Sequence, residues 1–398
     1  MKFPVLDYIR AIAVILVTYY HVITYGPHAS SFLGPIADFF DVLSFNEIVS
    51  LVLGNVLNLG EIGVSLFFLV SGFLIMKSRV GKTVGSFIIR RLIRIYPIAI
   101  AGVIFSFLFI VLINHYYCET PLTVNLEDLV AILTNSLLIN GLIPTKMDSP
   151  IFGSSTIMPT YWFLAVIVKY YLVMCFVSTL NKERILTIAL LLMLVSSSYY
   201  LFRTSNFYNF SPICSRIISD IAFSSHHIIF ILIGSSIYIN YRTRLGNSDN
   251  EKIQSIKTSF SDCIYPILIV FAFITSFYTL KKIPDFPLPA DMLKNYFLSL
   301  LIFVVCVVCN RHVTKVCGVV RLVSNTSFSV YVLHYAFGAC ILVVLLNIDF
   351  LRNYLFLIYL ITFTLIGLCG YFLYKFIEQP QVRRTILIKN LNNICENF

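Results

Sequence analysis

His21 stands inside an apolar segment, eleven residues after Arg10 and fourteen after Asp7. At about 100° per residue, Asp7, Arg10, Val14, Thr18 and His21 fall on one stripe of a helix. At a rise of about 1.5 Å per residue, Arg10 and His21 are about 16 Å apart along the axis. The stripe therefore leads from a membrane surface into hydrocarbon, where an ionisable group is costly and is by default a candidate functional group. The chemistry an imidazole offers there is proton transfer near neutral pH. A histidine hydrogen-bonded to a neighbouring helix is the plainer alternative. Asp7 and Arg10 are expected to pair and hold the entrance, or to form only a helix-end salt bridge.

A second constellation lies in IIRRLIRIYP, residues 88 to 97. Arg91 and Arg94 are spaced i,i+3 and Arg90 and Arg94 i,i+4, so they share one helical face. Adjacent guanidinium groups repel, and on one face they make a fork for a phosphate; the alternative is an anchor that fixes membrane orientation. Ser327, Tyr331 and His334 form another stripe, suited to hydrogen-bonding a polyol or steadying an oxyanion, or to joining helices. Gly63, Ser65, Ser71 and Gly72 interrupt the Phe-rich run 60 to 76 and give either close helix packing or room for an acyl chain. Trp162, the single tryptophan, suits an interfacial belt or a sugar-stacking surface. The adjacent His226 and His227 point about 100° apart and read as helix-interface residues. Cys306 and Cys309 lack a second ligand pair, so no metal site is expected.

These residues need a membrane scaffold. With 58% hydrophobic and 12% charged residues, the chain departs from soluble globular composition. Apolar runs near 9 to 25, 60 to 76, 95 to 113, 161 to 180, 185 to 202, 221 to 239, 263 to 280, 295 to 309, 327 to 347 and 354 to 376 predict an all-α integral-membrane bundle of about ten helices. Residues 126 to 143 are an eleventh candidate, but Glu127, Asp128, Asn135 and Asn140 suit an interfacial or inward-packed helix better. With ten spans and both termini cytoplasmic, 21 of the 29 Lys and Arg residues fall inside and 7 outside, with Lys169 within a span. An eleventh span would remove that bias. The net charge of +10 then reflects topology and attraction to the lipid bilayer, and no nucleic-acid partner is implied. No cleavage site follows residues 9 to 25, so that segment is expected to stay attached. Residues 1 to 380 read as one membrane domain, and 381 to 398 as a short basic cytoplasmic tail.

The motifs LDYIRAIAVILVTYYH (6 to 21), GVSLFFLVSGFLI (63 to 75), RRLIRIYP (90 to 97), SNTSFSVYVLH (324 to 334) and FIEQP (376 to 380) occur in the order and spacing of one family. The chain resembles the membrane acyltransferase 3 family, which O-acylates surface polysaccharides and related glycans. The resemblance implies about ten spans, an essential first-span histidine at His21, an Arg-x-x-Arg pair at Arg91 and Arg94, and acetyl-CoA as donor. It brings Glu378 into the candidate set through FIEQP. It also implies a glycan or lipid-linked glycan acceptor, such as O-antigen, and the bacterial cytoplasmic membrane as location. One departure stands out: TYWFLAVIVKYYL (160 to 172) keeps Trp162 but has Ile167 and Val168 where relatives place carboxylates. A polytopic transporter or glycan flippase, and a structural membrane subunit, are the rival classes.

Overall fold

Backbone polar groups in hydrocarbon have no water to bond, so each apolar segment is driven to close its own hydrogen bonds as a helix. The computed structural model describes residues 3–24, 57–79, 82–117, 126–139, 148–149, 153–154, 159–175, 181–204, 212–246, 260–283, 286, 288 and 291–380. The tail 381 to 398 and most of the loops 26 to 59 and 114 to 160 lie outside them.

The helices are α1 (Pro4–Tyr19), α2 (Leu59–Arg79), α3 (Val84–Tyr117), α4 (Leu126–Ser136), α5 (Trp162–Cys175), α6 (Lys182–Thr204), α7 (Pro212–Gly246), α8 (Phe260–Lys281), α9 (Met292–Cys309), α10 (Gly318–Leu346), α11 (Asp349–Arg352) and α12 (Leu355–Leu373). Among the described residues nine helices are long and apolar enough to cross a membrane, and α5 is a shorter apolar helix. Together they coincide with the ten expected spans. A two-residue antiparallel pairing of β1 (Asp148–Ser149) with β2 (Gly153–Ser154) is the one extended element among the described residues. The protein is an all-α polytopic membrane protein.

The eleventh candidate is resolved by length: α4 has 11 residues, and a span needs about 20. It ends at Leu138, which has φ 59°. The Ile139 amide donates to the Thr134 carbonyl, so a left-handed residue closes the helix as glycine usually does.

The described residues divide into two units interleaved along the chain, one comprising Met1–Gly63, Ile89–Trp162 and Cys306–Phe398 and the other Val64–Ile88 and Phe163–Val305. In the first unit α10 packs against α1 and α12. Its most apolar window is 89% buried against 28% for the last span, so α10 is the enclosed helix and α12 presents its outer face to lipid. Aromatic rings of Phe105 and Phe109 on α3 meet Phe337 on α10 at 5.1 and 4.8 Å. A 3₁₀ turn, Pro159–Tyr161, is fixed from two sides. Tyr331 donates to the Thr160 carbonyl at 2.6 Å, and Tyr161 donates to the Ala99 carbonyl at 3.1 Å.

In the second unit α6, α7 and α8 pack mutually. Gly72 on α2 and Gly234 on α7 bring two backbones together: an added Cβ would stand 2.0 Å from the Ile231 carbonyl oxygen at the first and 2.3 Å from that of Leu69 at the second. The small residues of α2 thus serve close helix packing, and Gly63 does the same in the first unit against Ala13 and Val17.

Candidate active site

α1 does not continue as a regular helix to His21. Its last turn, Tyr20–Thr24, is a π-helical turn, a widening that occurs disproportionately at functional sites. His21 keeps to the face of the helix that Asp7 and Arg10 share, since all three meet α10. Tyr20 beside it is held in place, its hydroxyl accepting a hydrogen bond from Asn58 Nδ2 at 3.3 Å. Gly60 leaves room for the Tyr20 ring, which an added Cβ would meet at 2.4 Å.

The turn presents His21 to α10. Its ring centre lies 5.0 Å from that of His334 and 5.2 Å from that of Tyr335, while Tyr20 stands edge-on at 5.3 Å. His334 is fully buried, and its Nδ1 donates to the Tyr331 carbonyl at 2.5 Å. The Tyr331 ring lies 5.3 Å from the His334 ring. Two imidazoles from helices more than 300 residues apart in sequence therefore share an aromatic pocket. Thr18, one turn before His21, is buried with no hydrogen-bond partner for Oγ1 among the described residues.

Toward the other end of the same helix pair, the serines of SNTSFS each engage a charged group. Ser324 Oγ donates to Asp7 Oδ1 at 3.0 Å. Ser327 gives its hydrogen to the Ser324 carbonyl at 2.7 Å, which leaves its lone pairs for Arg10 Nη2 at 3.1 Å. Asp7 and Arg10 are thus each held by a serine of α10. About 200° further round α10 from Ser327, Ser329 Oγ donates to Glu378 Oε2 at 2.8 Å. The other Glu378 oxygen lies 3.9 Å from Arg94 Nη2. Glu378 is 2% exposed and the Arg94 side chain 40%, so a buried carboxylate lies beside a partly exposed guanidinium. Arg10 is within electrostatic reach of Arg94, Glu378 and Asp7. Arg90 and Arg91 sit in the same first turns of α3, half-buried. Three turns of α10 connect this charged cluster with the two imidazoles.

Four expected motifs, LDYIR, RRLIR, SNTSFS and FIE, are joined in this arrangement. Trp162 opens α5, half-buried, and Ser71 belongs to the second unit on α2, also half-buried. His226 and His227 are buried in the second unit. His226 Nδ1 bonds Ser276 at 3.1 Å and its ring stacks on Phe273, while His227 bonds the Phe223 carbonyl at 2.8 Å. Lys169 pairs with Asp220 and donates to Ser224 at 2.8 Å. Sequence reasoning missed Ser324, Ser329, Tyr20, Tyr335 and the Asp220 partner of Lys169. Opposite charges within separate apolar segments, and four hydroxyls in six residues of an apolar helix, were the available signals.

The charged cluster and the two imidazoles lie along one pair of helices inside an apolar bundle. The acyltransferase domain of the acyltransferase 3 family matches residues 3–375, and the chain belongs to that family. It is a membrane acyltransferase. No curated protein and no solved structure shows a significant match.

Proposed function

We propose that the protein transfers an acetyl group from acetyl-CoA to a hydroxyl of a bacterial surface polysaccharide, such as O-antigen, or of its lipid-linked precursor. The observation that carries this reading is the placement of His21 beside the buried His334, ring centres 5.0 Å apart, within the family's domain. O-acyl transfer requires a base for the acceptor hydroxyl, and His21 is assigned that role. Arg91 and Arg94, with Arg90, are assigned to the phosphates of the donor, for which a guanidinium fork is suited. Glu378, held by Ser329, pairs with Arg94, while Ser327 holds Arg10 and Ser324 holds Asp7.

The proposal sets the protein in the bacterial inner membrane, and the Lys and Arg bias supports both termini and the arginine cluster on the cytoplasmic side, where acyl-CoA is available. A transporter would share the spans but has no use for a phosphate-binding fork joined to an imidazole pair. The test is the ester content of glycan from cells with and without the gene, by NMR and mass spectrometry. Expression should add O-acetyl esters to one sugar hydroxyl. Identical glycan from both would overturn the acceptor assignment.

A further inference from the structure

Two buried imidazoles carry an Nε2 with no hydrogen-bond partner among the described residues, His226 and His334. Their surroundings separate them. His226 stacks on Phe273 at 4.5 Å and stands edge-on to His227 at 5.2 Å, and the His227 hydrogen is already committed to the Phe223 carbonyl. His334 faces a second imidazole, that of His21.

The anchor on His334 fixes its tautomer. A carbonyl oxygen can only accept, so the contact from Nδ1 to the Tyr331 carbonyl requires the hydrogen to sit on Nδ1. Nε2 of the neutral ring is then a lone pair: it can accept and cannot donate. A bare buried acceptor costs on the order of 1–3 kcal/mol, so its retention calls for a donor that arrives during function. The ring centres are 5.0 Å apart. With each nitrogen about 1.1 Å from its ring centre, two facing nitrogens at that separation meet at about 2.8 Å, a hydrogen-bond length. The 55° between the ring planes leaves a rotation of the His21 ring to complete the contact, as catalytic hydrogen bonds often do on substrate binding.

We propose that His334 is the positioning residue of the reaction: its Nε2 accepts an N–H of His21, fixing the His21 tautomer so that the opposite nitrogen faces the acceptor hydroxyl. This rests on the reading of His21 as the base. The proton passes from the hydroxyl to the free nitrogen of His21 as the oxygen bonds the acyl carbon. The carbon–sulfur bond then breaks, and the departing thiolate takes the proton back from the imidazolium. His334 stays neutral throughout and holds the His21 N–H most strongly while His21 is charged. The neutral imidazole, anchored through a backbone carbonyl, takes the place a carboxylate occupies beside many catalytic histidines.

The test compares two amide replacements in the full-length protein in membranes, read with radiolabelled acetyl-CoA and acceptor glycan. His334→Asn retains a donor at the Nδ1 position and so keeps the anchor to Tyr331, but has no acceptor at the Nε2 position. His334→Gln places an amide oxygen near Nε2, where it can accept from His21. Protein amounts should match wild type for Asn, with kcat down about 10- to 100-fold, the usual cost of removing a histidine's orienting partner, and the KM for acetyl-CoA unchanged. Gln should restore part of kcat. Asn at wild-type kcat, or Gln no better than Asn at equal protein amount, would overturn the positioning role. Wild-type membranes that transfer no acetyl group would overturn the acyl-transfer reading and this inference together.

Discussion

Arg94 shows how a single residue ties the donor end of the site to the fold. Glu378 pairs with its guanidinium, and a lysine at this position would keep the charge and the membrane orientation but lose the planar fork. Arg94→Lys should therefore raise the half-saturating acetyl-CoA concentration about tenfold, consistent with loss of one charge-assisted hydrogen bond, at unchanged protein level. A lysine variant with wild-type donor dependence would leave the arginines only a topological role. His21, the arginines and the Asp7–Arg10 stripe were legible because ionisable residues stand out against apolar sequence. The pairing of His21 with His334 was not. It depends on α1 packing along α10, and nothing in either apolar segment names the other as its partner.

At the scale of elements, close approach of helices rests on particular glycines. An alanine at Gly72 would drive its methyl into the Ile231 carbonyl, whereas Gly367 on α12 has open space around it. Gly72→Ala should lower the thermal stability of the detergent-solubilised protein. Gly367→Ala should raise it by up to about 1 kcal/mol, the difference in helix propensity. Equal melting temperatures for the two variants would contradict the packing described for α2 and α7. The Lys169–Asp220 pair makes a second test, because leaving one charge buried alone costs about 3–5 kcal/mol while removing both costs little. Lys169→Met should deplete folded protein, and Lys169→Met with Asp220→Leu should recover most of it; no recovery would mean that the pair does more than neutralise itself. The ten apolar helices were legible from length and hydropathy alone. The division into two units was not, since each draws on stretches far apart in sequence and hydropathy carries no record of which helices touch.

The whole molecule places a charged cluster at one end of an enclosed helix pair and two imidazoles deeper in the bundle, which suits a donor that binds at the surface and reacts within. The proposed orientation rests on the charge count. A cysteine at Lys315, between α9 and α10, should be labelled only when reagent reaches the cytoplasmic face, and one at the exposed Tyr116, at the end of α3, only from outside. Labelling of both from one side would contradict the ten-span topology. The family could be read from five motifs in register and is shown by a match over residues 3–375. The proposed acceptor rests on resemblance alone, because recognition of a sugar hydroxyl requires no distinctive residue pattern. The central claim is that acyl transfer runs through His21. It is tested most directly by reconstituting wild type and His21→Gln in liposomes with radiolabelled acetyl-CoA and acceptor glycan, and measuring ester formed per folded protein. Glutamine can hydrogen-bond but cannot take a proton at neutral pH. The rate should fall about 10²- to 10⁴-fold with folded protein unchanged, and a glutamine variant that forms ester at the wild-type rate would contradict the account.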